Sequence, residues 1–233
     1  MSRVVSVDLG QQADYTAVTI VECLERLNPD FDGVEAEVSR RRWRAGYRGI
    51  PPYDVPQYLP PLYIVTYLRR FDLGTPYPEI VAQVKGLMDS PKLHDRPLAL
   101  ALDATGVGVP VRNLFKQELP DAHMLPVLIH GGDNELHHKG FYRVPKRELV
   151  SRAVKLMQRR ELNVAPSLDF AQTLVEELRN FRLKINIDTG HDSYEAWRER
   201  DHNDLVLSLC IGLWASENRA NGQGVTSIPR ALR

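Results

Sequence analysis

Residues 97–103 read PLALALD, a nearly uninterrupted apolar run that closes on a carboxylate. A strand with no polar face has to be covered on both sides, the situation of a parallel strand inside an α/β sheet. The flanking sequence supplies the covers. Ile80, Val81, Val84 and Leu87 fall at helical spacing over Pro78–Leu87 behind an N-terminal proline, and ATGVGVPVRNLFKQEL begins with glycines and continues as a helix. Met124–Ile129 (MLPVLI) is expected to be a further strand.

Upstream, Val4–Leu9 and Thr16–Glu22 are β-branched runs joined by the polar turn QQADY, which predicts a hairpin, and Leu62–Phe71 predicts a third antiparallel strand beside it. Between them, the RRRWR run at 40–44 and prolines at 51, 52, 56, 60 and 61 predict an irregular, proline-rich insertion or long loop over 28–61. Downstream, Lys146–Arg160 forms an amphipathic helix, Leu162–Val164 a short strand, Asp169–Phe181 another helix and Asn203–Glu217 the last and most apolar one. The order is that of a mixed α/β sheet with a three-strand meander. A length of 233 residues, 43% of them hydrophobic, suits one domain over 1–217 with a polar tail at 218–233.

Composition restricts the partners. Thirty Lys plus Arg balance thirty Asp plus Glu, so attraction to a polyanion has to come from local patches. Cys23 and Cys210 stand far apart in apolar settings, which suits buried thiols in a reducing, cytoplasmic compartment. No apolar run reaches the ~20 residues of a membrane span, and no leader is evident near Met1, so a membrane partner is not expected.

Three carboxylates mark topologically special places: Asp8 ends the first strand, Asp103 the central parallel strand, and Asp204 lies in the first turn of the last helix. If the first and fourth strands are neighbours, these acids meet at the carboxyl edge of the sheet, where α/β folds bind ligands. Hard oxygen ligands suit Mg²⁺ or Mn²⁺, and two such ions about 4 Å apart would serve phosphodiester hydrolysis. Asp201, three residues before Asp204, would share its face if the helix reached that far, while the adjacent His202 would point elsewhere. Each acid also has a structural explanation, as a turn or N-cap residue, and Asp14 is assigned to capping the QQADYT turn.

Taken in order, VDLGQQADYTAVTIVE, ALALDATGVGVPVRNL, VPKRELVSRAVKLMQRRELNV, ELRNFRLKI and DHNDLVLSLCIGLWA resemble the nuclease domain of the large terminase subunit of tailed phages. The resemblance runs from about Val4 to Ala215, excluding 28–61. It implies a ribonuclease H-like fold and cleavage of concatemeric viral double-stranded DNA during packaging in the host cytoplasm. It also implies metal binding by Asp8, Asp103 and Asp204 with Asp201 as an accessory acid, and association with a terminase ATPase domain or chain, a small terminase subunit and a portal. Two departures stand out. No phosphate-binding loop of an ATPase is present, and Asn203–Asp204 replaces the usual adjacent pair of acids.

Lys139, Arg143, Lys146 and Arg147 lie in or beside HGGDNELHHKGFYRVPK, expected to be a loop that either contacts substrate phosphates or is simply solvated. His130, His137 and His138 lack the spacing of a zinc site, and Trp43 in RRRWR is better explained as a packed aromatic than as a base-stacking platform. Rival readings are a Holliday-junction-resolvase-like nuclease, an actin-like ATP-binding protein, for which nucleotide binding discriminates, and a noncatalytic DNA-binding or motor-docking module.

Overall fold

A computed structural model describes residues 2–10, 14–44, 56–106, 108–187 and 203–220. The first strand, β1 (Ser2–Asp8), pairs antiparallel with β2 (Ala17–Leu27), which pairs antiparallel with β3 (Tyr58–Arg70). On its other side β1 pairs parallel with β4 (Leu98–Asp103), and β4 with β5 (Met124–His130). An edge hairpin of β6 (Leu136–His138) and β7 (Phe141–Pro145) extends the sheet beyond β5, and β8 (Leu162–Val164) pairs parallel with β3. The eight-stranded order is β6-β7-β5-β4-β1-β2-β3-β8.

Side-chain alternation along β1 and β4 divides the core into two layers. Val5, Val7, Leu100 and Leu102 pack against α2 (Tyr77–Met88) and α3 (Gly108–Glu118) through Ile80, Val81, Val84 and Phe115. Val4, Ala99 and Ala101 face the other way, onto α4 (Lys146–Gln158), α5 (Ala171–Ile187) and α6 (Asp204–Ala220). Helix α6 is buried on nearly all sides from Asp204 to Ala215, because the sheet covers one flank and α4 and α5 the others. That explains a sequence apolar all round where an exposed helix would be amphipathic. Truncating one of its fully buried leucines, such as Leu209, should cost ~2–5 kcal/mol.

Several sequence expectations are corrected. The 28–61 segment contains a regular helix, α1 (Gly33–Arg44), whose first turn is capped by Asp32 Oδ1 accepting from the amides of Val34 (2.8 Å) and Glu35 (3.1 Å). Pro60 and Pro61 do not break β3; they sit where the pairing with β2 slips between Leu24 and Arg26, an irregularity that removes the demand for their missing amides. Residues 45–55, including Pro51 and Pro52, lie outside the described residues. The segment expected to be a loop after β5 is largely the β6–β7 hairpin, closed by Lys139 (φ 51°) and Gly140 (φ 76°), a two-residue turn with both residues left-handed. Helix α5 starts at Ala171 and runs to Ile187, displaced from the expected Asp169–Phe181, and α6 continues to Ala220.

Cys23 and Cys210 are both free and buried. No helix among the described residues is long and apolar enough to cross a membrane.

Candidate metal and nuclease site

The register of the central strands brings two carboxylates together. Val7 pairs with Leu102 in the parallel β1–β4 ladder, so the next residues, Asp8 and Asp103, leave the sheet side by side. By alternation they share the face of Val4, Ala99 and Ala101, the face covered by α6. Asp103 is oriented locally: its Oδ1 accepts from the Thr105 amide (2.8 Å) and from the Thr105 hydroxyl, while Thr105 Oγ1 accepts from the Ile129 amide of β5 (2.7 Å).

The third carboxylate arrives with α6, which begins at Asp204. Ser208, one turn later, donates its hydroxyl to the carbonyl of Ser6 (3.0 Å), and a β-carbon at Gly212 would come within 2.6 Å of Ser6 Oγ. Asp204, one turn before Ser208, comes within electrostatic reach of Asp8, two residues on from Ser6.

The electrostatics record the convergence. Asp8 is only 7% exposed, and its carboxyl is held well above the ordinary aspartate range, first by burial and then by the charges of Asp103 and Asp204. The Lys146 ammonium, at the start of α4, acts in the opposite direction, and Asp14 adds a further negative charge. Asp14, assigned from sequence to turn capping, thus contributes to the field of the site from an exposed position. Lys146 also acts on the Cys210 thiol of α6, which burial pushes up to about 12.

Two site residues escaped the sequence reading. Glu177 of α5, 6% exposed, accepts from the Val206 amide in the first turn of α6 (3.1 Å) and is ion-paired with Arg70 at the end of β3. Arg70 Nη2 stands 4.0 Å from Asp204 Oδ2, and its guanidinium lies 4.9 Å from the centre of the Tyr15 ring. Arg70 reaches this face because of a bulge. Ile20 pairs with Tyr67 and Val21 with Val65, which leaves Thr66 unmatched and reverses the alternation beyond it. Tyr63 and Val65 before the bulge and Leu68 after it then all join the α6-side core, and Arg70 follows Leu68. The one available signal was Glu177 itself, an acid three residues after the inward-facing Leu174.

The anticipated basic contacts separate. Only Lys146 faces the carboxylates. Lys139 closes the edge hairpin two to three strand spacings from β4, roughly 10–14 Å to the side. Arg143 lies between Tyr142 and Val144, which pack toward α6, so it projects from the opposite face of the sheet. Arg147 is engaged with Asp133, 2.7 Å to its carboxylate. His137 stacks on Tyr142 (4.3 Å between ring centres), and His130 Nδ1 accepts from the Gly132 amide (3.0 Å). Asp201 and His202 lie outside the described residues.

Among the described residues, no three His, Cys, Asp or Glu side chains are gathered closely enough to hold a single ion, which also applies to the three histidines. The chemistry of the Asp8–Asp103–Asp204 donor set nonetheless fits hard divalent cations. All three donors are carboxylates on one face, and the most buried of them is one whose charge the other two oppose.

No family model and no curated protein matches the chain. Solved structures do. The human cytomegalovirus terminase nuclease domain is similar over 97% of this chain and 88% of its own, with a TM-score of 0.51 and 12% identity. The large terminase nuclease of the thermophilic phage G20c is similar over 91% and 80% (TM-score 0.48, 14% identity), and Thermus thermophilus RuvC over 94% and 96% (0.39, 11%). The first of these likenesses carries the assignment: the chain has the ribonuclease H-like fold of a terminase nuclease domain.

Proposed function

We propose that this chain is a metal-dependent endodeoxyribonuclease that cuts double-stranded DNA as the nuclease part of a large terminase. The observation that carries the reading is the convergence of Asp8, Asp103 and Asp204 at the carboxyl edge of the sheet, where the latter two raise the proton affinity of the first. A fold devoted only to binding has no use for three carboxylates turned toward a common point, since like charges packed at a buried edge cost stability. The family resemblance noted in the sequence supports the same assignment and extends it to viral genome packaging with an ATPase domain or chain, a small terminase subunit and a portal.

In this reading Asp8, Asp103 and Asp204 hold Mg²⁺ or Mn²⁺, two ions in all, and Asp201 is an accessory acid. Bound ions would supply charge neutralisation at the scissile phosphate and an acidified water. The protein's own residues set the stage. The Thr105 hydroxyl and amide fix the direction of Asp103, burial keeps bulk water from Asp8, and Lys146 offers its ammonium to a DNA phosphate approaching the same edge. Lys139 and Arg143 are too far from this edge, or on the wrong face of the sheet, to share that role.

The deciding experiment incubates supercoiled plasmid with Mn²⁺ or Mg²⁺ and compares the native chain with Asp103→Asn, whose amide oxygen can still accept from Thr105. Nicking by Asp103→Asn should fall below that of the native chain by two orders of magnitude or more, about the scale on which electrostatic catalytic groups act. Equal nicking by the two proteins overturns the reading.

A further inference from the structure

An arginine beside a metal-binding carboxylate is a competitor, because it offers the positive charge that the cation would otherwise bring. Arg70 occupies such a position. Its Nη2 stands 4.0 Å from Asp204 Oδ2, within Coulombic range but beyond hydrogen-bond distance. What keeps that atom from closing the gap is visible in its other contacts. It is ion-paired with Glu177 Oε1, and the guanidinium plane rests over Tyr15. Glu177 is in turn immobilised by its second oxygen, which accepts from the Val206 amide of α6.

We propose that Glu177 is a positioning residue that tethers Arg70 away from Asp204, so that the Arg70 charge offsets the acidic cluster without occupying the carboxylate a divalent cation takes. The inference rests on the reading of Asp204 as a metal ligand. Its physical basis is that a guanidinium with only 16% exposure does not stay unpaired. Without the Glu177 charge, the carboxylate within reach of Arg70 is Asp204, two residues before the amide that Glu177 caps. The residues come from β3, α5 and α6, so the tether also couples the start of α6 to the end of β3.

The test is a double-mutant cycle read by Mn²⁺ binding, using the electron paramagnetic resonance signal of free Mn²⁺ with no DNA present. Glu177→Gln keeps an oxygen for the Val206 amide but removes the charge that holds Arg70, and Mn²⁺ affinity should drop on the order of tenfold or more. Arg70→Gln removes the competitor, and affinity should rise. In the Arg70→Gln background the further change Glu177→Gln should alter affinity by less than about twofold, because the tether then has nothing to hold. A Glu177→Gln effect of equal size in both backgrounds would mean that Glu177 acts through its own charge, and the tether is wrong. Weaker binding in Arg70→Gln is equally fatal, and that variant, which leaves the Val206 cap in place, decides the sign even if Glu177→Gln fails to fold. Native protein that binds no Mn²⁺ sinks the metal-site reading and this inference with it. Native protein that binds Mn²⁺ while neither variant changes the affinity sinks the tether alone.

Discussion

Gly212 and Ser6 approach more closely than any side chain would permit: a β-carbon at position 212 would stand 2.6 Å from Ser6 Oγ and 3.0 Å from Val21 Cγ2. The absence of a side chain there lets α6 lie directly on β1 and β2, and it is this contact that delivers Asp204 to the edge where Asp8 ends.

Gly212→Ala should therefore act on both stability and the site. Overpacking at such a contact costs about 1–3 kcal/mol, a drop in Tm of roughly 2–4 °C per kcal/mol for a chain of this size. The variant should also lose much of the stabilisation that Mn²⁺ confers on the native chain in thermal melts. An unchanged melting curve would mean that the helix can slide at no cost.

Asp8 sets a pH dependence whose sign follows from its raised proton affinity. Its carboxyl is held well above the ordinary aspartate range in the folded chain, so its contribution to stability is fully present below that ordinary range and is lost as pH rises through the elevated folded value. In EDTA, Asp8→Asn should be more stable than the native chain near neutral pH, with the difference shrinking toward pH 4. Denaturant melts across that range read it directly, and a native chain that gains on the variant as pH rises contradicts the assignment. Divalent cation should reverse the ranking at neutral pH by stabilising only the native chain.

Thr105 serves two strands at once, accepting from the Ile129 amide (2.7 Å) and donating to Asp103. Thr105→Val leaves that amide without its acceptor, at a cost of about 1–3 kcal/mol, and should speed hydrogen exchange at Ile129, whereas Thr105→Ser should restore both stability and exchange protection. Exchange at Ile129 that does not respond to the valine would show that another acceptor takes over.

Of the four basic residues singled out in the sequence, Lys146 is the one that faces the carboxylates. Lys146→Gln should weaken DNA binding and reduce its salt dependence by about one phosphate contact, while Lys139→Ala and Arg143→Ala leave both near native. Fluorescence anisotropy with a short duplex at several salt concentrations distinguishes them; a Lys139→Ala effect as large as that of Lys146→Gln would require the edge hairpin to join the binding surface.

What the amino-acid sequence determined by itself was whatever depends on neighbours in the chain. The apolar runs of β1 and β4, the acids that end them, and the all-round apolar character of α6 are local patterns set by burial and periodicity, and they were enough to place Asp8, Asp103 and Asp204. Helix α1 was obscured by its charge, and the strand character of Pro60 and Pro61 by the ordinary cost of proline, which the slip opposite Leu24 and Arg26 removes. Only the tertiary structure decided the surroundings of the acids. One unmatched residue, Thr66, turns Arg70 to the α6 face, and Arg70 and Glu177, 107 positions apart, become partners there. The same alternation rule turns Arg143 away from the acids, although it stands only three residues before Lys146. Side-chain period sets a strand's two faces, but which face meets which helix follows from register and bulges, and those are settled by pairing between segments distant in the chain.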